Sequence, residues 1–209
     1  MKDASNFVKI SISTGNRKMG AIPSVSLPPV VTCAPGVPCA KKCYACKMCR
    51  IYKNVGASYN RNLEIVENNP DLYWSQVNAA LTMNRFFRFH VSGDIINDEY
   101  MEKMVESARN NSHCEVLVFT KQYDIVNKYV NSNGALPDNL HLIFSLWDAE
   151  WNKSVKNPHN FPTTTVIFKD GTPGAKYDKI CGGNCFECAM TGGGCWDIKS
   201  GECLAFYEH

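Results

Sequence analysis

Eleven cysteines in 209 residues are the feature with the most chemical content. Ten fall into two groups: Cys33, Cys39, Cys43, Cys46 and Cys49, then Cys181, Cys185, Cys188, Cys195 and Cys203. Cys114 stands apart beside the apolar run Val116-Leu117-Val118-Phe119 and reads as a buried small hydrophobe. The first group contains Cys39-Ala40-Lys41-Lys42-Cys43-Tyr44-Ala45-Cys46. Three thiolates with three and then two residues between them can surround one [4Fe-4S] cubane, each on one iron, leaving the fourth iron open. A structural zinc site usually takes four ligands, and Cys33 or Cys49 would supply the fourth, so zinc stays open. The second group repeats the spacing in Cys181-Gly182-Gly183-Asn184-Cys185-Phe186-Glu187-Cys188, with Cys195 and Cys203 following. Its glycines let backbone amides approach the sulfurs. Cys181, Cys185, Cys188 and Cys195 are the expected ligands of a second centre, iron–sulfur or zinc, whose role is chiefly structural.

Composition sets the context in which those thiols act. At 44% apolar and 20% charged residues the chain is ordinary globular material, which excludes a disordered or collagen-like protein. No apolar run reaches 18 residues, so no membrane partner is expected. The amino terminus lacks a secretory signal, which points to a cytoplasmic protein, and in that compartment clustered cysteines bind metal more often than they pair as disulfides. The net charge of +2 hides a division. Residues 1–63 hold ten Lys or Arg and one acid, a local charge of +9, and the remainder carries −7. A basic segment can grip a phosphate backbone, which leaves nucleic acid open as a partner, or it can neutralise an anionic cluster and attract an anionic cofactor. Interleaving of Lys41, Lys42, Lys47, Arg50 and Lys53 with the cysteines favours the second role.

Positioning these groups falls to a regular core. Residues 1–56, rich in Gly and Pro, read as an irregular segment with one strand at 7–12. Helices are expected at 57–67, 70–83, 98–109, 123–130 and 149–155, and strands at 86–91, 115–120, 140–146 and 164–168. This alternation predicts one domain of α/β class with a parallel sheet, either doubly wound or a partial (β/α) barrel, the barrel-like arc being preferred. A cysteine-rich loop (1–56) would precede the βα core (57–170), and a cysteine-rich tail (171–209) would follow its last strand. Chemistry then belongs at the carboxyl ends of the strands. The polar residues there are Ser92-Gly93-Asp94, Thr120-Lys121-Gln122, Trp147-Asp148 and Lys169-Asp170. His90, within the expected strand 86–91, reads as a satisfied core or rim histidine.

The cysteine triad ahead of a βα array resembles the radical S-adenosylmethionine superfamily. More closely, Gly20-Ala21-Ile22-Pro23, Leu27-Pro28-Pro29, Cys43-Tyr44-Ala45, Ser92-Gly93-Asp94, Phe119-Thr120-Lys121 and Cys195-Trp196 resemble the phage gene product 88-like family over nearly the whole chain. The superfamily resemblance implies a partial barrel with a [4Fe-4S] cluster on Cys39, Cys43 and Cys46. It implies that the open iron chelates S-adenosylmethionine, whose reductive cleavage yields a 5′-deoxyadenosyl radical. A reductant protein such as a flavodoxin or ferredoxin is the implied partner. Ser92, Gly93 and Asp94 occupy the place of a segment that contacts the cofactor's amine, with Asp94 as acceptor, and Lys121 would reach the cofactor carboxylate or an anionic substrate. Two departures are visible. Tyr44 follows the second cysteine, whereas the superfamily's aromatic residue precedes the third, and the expected strands are few.

Overall fold

The computed structural model describes residues 8–208, so Phe7 of the expected first strand lies outside the described residues. Its single sheet has the order β1-β2-β3-β4-β5-β6-β8-β7. These strands are β1 (Ile12–Ser13), β2 (Ser24–Val25), β3 (Phe86–Phe89), β4 (Glu115–Thr120), β5 (Leu140–Ser145), β6 (Thr163–Ile167), β7 (Lys179–Ile180) and β8 (Cys203–Tyr207). Only β1 is antiparallel to its neighbour. From β2 to β6 every new strand joins on the same side as the last. Right-handed crossovers then place all the crossover helices on one face. This order excludes the doubly wound alternative, which reverses direction at a switch point. What remains is a mixed α/β molecule built on an open, mostly parallel sheet.

The helices are α1 (Tyr44–Ile51), α2 (Lys53–Asn68), α3 (Pro70–Thr82), α4 (Asp98–Asn110), α5 (Tyr123–Asn133), α6 (Ala149–Asn152) and α7 (Cys185–Thr191). Local chemistry starts them: the Asn69 side chain accepts from Leu72 N with Pro70 in the first turn, and Asn97 accepts from Tyr100 N. Alternation along the strands divides their side chains between two faces. Phe87, Phe89, Val116, Val118, Leu142 and Phe144 pack with Tyr73, Val77, Leu81, Met101, Met104 and Val105 of α3 and α4. On the opposite face Phe86, Leu117 and Ile143 form a second core with Met19, Ile22, Ala189 and Trp196. Among the described residues no helix is long and apolar enough to cross a membrane.

Four expectations need correction. The strand expected at 7–12 is reduced to β1 at Ile12–Ser13, and residues 8–11 lie outside any strand. Residues 1–56 are not irregular throughout: a 3-10 helix spans Pro38–Lys42, α1 follows, and α2 starts at Lys53 rather than 57. The reason lies in the punctuation, since no Pro or Gly occurs between Pro38 and Gly56. The strand at 86–91 stops at Phe89 because His90 takes a left-handed φ of 59°. The tail does not follow the last strand. Its residues Cys203–Tyr207 are a strand, β8, hydrogen-bonded in parallel along the whole length of β6, with Cys203, Leu204 and Ala205 buried.

Candidate metal centre

The first cysteine group lies over the carboxyl ends of β3 and β4. The chain leaves β2 and is fastened at once: Leu27 N donates to Ser92 O (2.9 Å), Thr32 Oγ1 donates to Pro28 O (2.8 Å), and Asp94 N donates to Thr32 Oγ1 (3.3 Å). Farther along, the Tyr44 hydroxyl donates to Val91 O. Between these fastenings run Cys33, Cys39 and Cys43. The Cys33 thiol accepts from Val30 N (3.3 Å). Burial pushes it up to about 11, and the charges of Asp94, Cys39 and Cys43 add to the effect. Cys39 is raised by burial and lowered by the Lys121 ammonium. Cys46 is raised by burial and then by a hydrogen bond with Cys43, and Cys49 by burial and by Cys43. Each of the other four thiols therefore feels Cys43. Gathering five such groups is unfavourable for thiolates without a cation among them and favourable with one. All eleven cysteines are free thiols, and among the described residues no three His, Cys, Asp or Glu side chains stand in a metal-holding arrangement as they are. The donor chemistry, soft sulfur in number beside basic residues, fits an iron–sulfur cluster or zinc.

Asp94 and Lys121 do come to this loop, but both are already engaged. The buried Asp94 carboxylate accepts from Thr120 Oγ1 (2.6 Å) and Ile95 N (2.8 Å) on Oδ1, and from Lys121 N (2.8 Å) on Oδ2. It ties the end of β3 to the end of β4 and leaves Oδ2 able to accept once more. The Lys121 ammonium donates to Ser145 Oγ (2.6 Å) at the end of β5 and lies 5.9 Å from the centre of the Trp147 ring. Buried Ser92 Oγ has no partner among the described residues, an orphaned polar atom beside the cysteine loop. Gly93 has φ 79°, and a Cβ there would come within 2.5 Å of Thr32 Oγ1 and 2.8 Å of Leu27 O. We expect Gly93→Ala to cost about 2–4 kcal/mol, the left-handed backbone and the clash together. Gly192→Ala, where φ is 66° but nothing lies within 4 Å, should cost only about 1 kcal/mol in the same urea titration. Equal costs would show that the turn is loosely packed.

His90, next to this turn, is buried. Its Nε2 meets the Tyr100 hydroxyl (3.1 Å), which meets Tyr73 (2.8 Å), while Nδ1 has no partner among the described residues. Burial, with a contribution from the Arg88 charge, lowers its pKa from 6.5 to about 3. The unfolded chain then binds the extra proton between those values, so stability falls as pH drops from about 6.5 to about 3, by about 5 kcal/mol over the full window. Asp94 acts in the opposite sense. Burial raises it from 3.8 to about 6, so it contributes stability below 3.8 that is lost as pH rises through 6, and it offsets His90 between those limits. His90→Asn, which accepts a left-handed backbone, isolates the histidine. The stability of the parent relative to this variant should fall steadily on acidification, and a flat difference would mean that the imidazole protonates freely in the folded chain.

The second cysteine group sits on the face of the sheet away from α3–α5. Cys185 N donates to Lys18 O (2.9 Å), Trp196 Nε1 donates to Cys185 O (3.2 Å), and Cys185, Cys188 and Cys195 pack against the second core. Burial raises the Cys195 thiol to about 12, with Cys181, Cys185 and Cys188 also acting on it. Cys181, Cys185 and Cys188 thus all lie near enough to Cys195 for their charges to act on it. Cys203 lies apart from them, buried in β8. The residue that sequence reasoning missed is Arg88. Its guanidinium lies 4.8 Å from the Phe119 ring centre, its Nε is buried without a partner among the described residues, and its charge acts on Cys185 and Cys195 below and on Tyr44 above. A lone cation inside the apolar strand Phe86-Phe87-Arg88-Phe89 was the available signal.

No curated protein and no solved structure matches this sequence. A family model described as gene product 88 matches residues 5–202, a span holding all ten clustered cysteines except Cys203 and every strand-end residue described above. The chain therefore belongs to the gene product 88 family.

Proposed function

We propose that the protein is an iron–sulfur enzyme of radical S-adenosylmethionine type, with Cys39, Cys43 and Cys46 holding a [4Fe-4S] cluster. The observation that supports the reading is that Cys39, the first of the triad, feels the charges of Lys121 and Asp94 at the carboxyl ends of β4 and β3. When bound, such a cluster supplies the electron for reductive cleavage of S-adenosylmethionine. The chain's own residues prepare that site. The Lys121 ammonium, steadied by Ser145, favours the Cys39 thiolate. Asp94 Oδ2 retains room for one ammonium donor, and Ser92 Oγ, unpartnered among the described residues, can donate or accept. Cys181, Cys185, Cys188 and Cys195 would hold a second, structural centre, iron–sulfur or zinc. A flavodoxin- or ferredoxin-like reductant is the partner this chemistry requires.

A second reading, a site closed by four cysteines, draws on Cys33, whose thiol interacts with both Cys39 and Cys43. Anaerobic purification with iron, sulfide and zinc analysis separates the two. Under the first reading the preparation is brown, S-adenosylmethionine changes the electron paramagnetic resonance spectrum of the reduced cluster, and Asp94→Ala weakens that response. A spectrum indifferent to the cofactor, with four cysteine ligands on the cluster, leaves electron transfer or structure as the role. Colourless protein with stoichiometric zinc points to a zinc-stabilised nucleic-acid-binding protein.

A further inference from the structure

Beside the cysteine loop the ends of β5 and β6 open into a cavity of about 300 Å³, lined by Pro38, Lys41, Lys42, Trp147, Asp148 and Phe168. Its two walls differ in character. One is cationic: Lys41 and Lys42 project from the 3-10 helix, within a stretch that has no carboxylate from Ala4 to Leu63. Lys42 pairs with Glu208 (3.0 Å) while remaining largely exposed, and Lys41 has no ion-pair partner among the described residues. The other wall is aromatic, with Trp147 and Phe168 meeting edge to face at 5.5 Å between ring centres.

The backbone beneath the aromatic wall is braced. Trp147 N donates to Asn152 Oδ1 (2.9 Å), and Asn152 Nδ2 donates to Gly174 O (2.9 Å). Gly174 lies so close to Trp147 that a Cβ there would come within 1.5 Å of the Trp147 carbonyl oxygen. Asp148 Oδ1 accepts from Trp151 N, which leaves Oδ2 as an acceptor at the cavity wall. A fixed aromatic surface selects a planar ring, because little side-chain freedom is lost when a ring stacks on it. Two adjacent lysines select a compact multivalent anion, since ammonium groups act as point charges and lack the fork that suits a lone carboxylate. The volume is at the small end of the range for small-molecule sites.

We propose that this cavity binds a nucleotide, its base against Trp147 and Phe168, its phosphate on Lys41 and Lys42, and a ribose hydroxyl or base amine on Asp148. The proposal rests on the functional reading above, to which it adds the substrate class: a phosphorylated nucleoside, free or as a unit of a single strand.

Calorimetry on the anaerobically purified full chain, with iron measured in the same sample, tests it using ADP, adenosine, pyrophosphate, S-adenosylmethionine and a six-nucleotide deoxyadenosine oligomer. ADP should bind about tenfold more tightly than adenosine or pyrophosphate. Trp147→Ala should weaken ADP about tenfold and Trp147→Phe should recover most of the loss. Lys41→Ala with Lys42→Ala, both exposed positions, should reduce ADP to the level of adenosine. An oligomer that binds more tightly than ADP assigns the site to a strand, and one that binds no better assigns it to a free nucleotide. The proposal is overturned if neither ADP nor the oligomer binds at millimolar concentration, if binding survives unchanged in both sets of variants, or if phosphate-free S-adenosylmethionine displaces ADP. Iron-loaded, cofactor-responsive protein that ignores nucleotides would sink this inference alone, and nucleotide-binding protein without iron would sink the functional reading alone.

Discussion

A chain truncated after Ile180 should fail to fold, rather than merely lose a metal site. The cut removes β8, which pairs with β6 at five positions from Thr163↔Cys203 to Ile167↔Tyr207. It removes the buried side chains of Leu204 and Ala205 and leaves β7 without a neighbour. It also removes α7 and Trp196. That indole packs edge to face on Phe86 at 5.3 Å between ring centres and also meets His141 at 5.7 Å, and its loss uncovers Leu117 and Ile143. Deleting a buried Trp side chain alone costs about 3–5 kcal/mol, and a whole domain is stable by only about 5–15 kcal/mol. Circular dichroism should show no cooperative melt. Cys185→Ser, Cys188→Ser and Cys195→Ser, made together in the full chain, provide the contrast. They keep β8 and Trp196, so a fall in melting temperature confined to metal-loaded protein would measure the metal's share of stability. A truncated chain that melts cooperatively near the parent temperature would show that the tail is an appendage.

Replacing Cys39, Cys43 and Cys46 together by Ala should abolish iron at the amino-terminal site, while the metal-free chain stays folded. None of the three side chains belongs to either hydrophobic core, and the 3-10 helix bearing Cys39 buries no residue. The loop keeps its other fastenings, through Leu27, Thr32 and Tyr44, because none of them uses a thiol. Removing three of three ligands leaves nothing to hold the cubane, so the loss should be complete rather than partial. Iron and sulfide analysis against the parent, with a melt of both metal-free proteins, reads the two halves of the expectation. Unchanged iron content would refute the assignment of the triad, and collapse of the metal-free variant would show that the loop is part of the core.

Much of this was legible in the residues because the signals are local. Helical spacing in α4 and the apolar run of β4 depend on neighbours within a turn or two, and they located these elements closely. Cysteine spacing and the matching segments around it pointed to the family in the same way. Ser92-Gly93-Asp94 and Lys121 were placed at strand ends by the alternation of elements alone, and the fold brings both to the cysteine loop.

Tertiary structure decided the rest, because the remaining questions concern pairing and burial between distant residues. Strand order chose a one-way succession of parallel strands over a doubly wound sheet, and no local pattern encodes order. A short run such as Cys203-Leu204-Ala205-Phe206-Tyr207 reads as a tail until β6 supplies its hydrogen-bond partners. Asp94 looked like a carboxylate waiting for a cofactor. Three donors from β4 and from its own turn make it a brace between strands first, with one acceptor position to spare. Arg88 and the cavity of Lys41, Lys42, Trp147 and Phe168 have the same origin. Their parts come from segments up to 130 residues apart, and only folding sets a charge between two groups of sulfur or an aromatic wall across from two lysines.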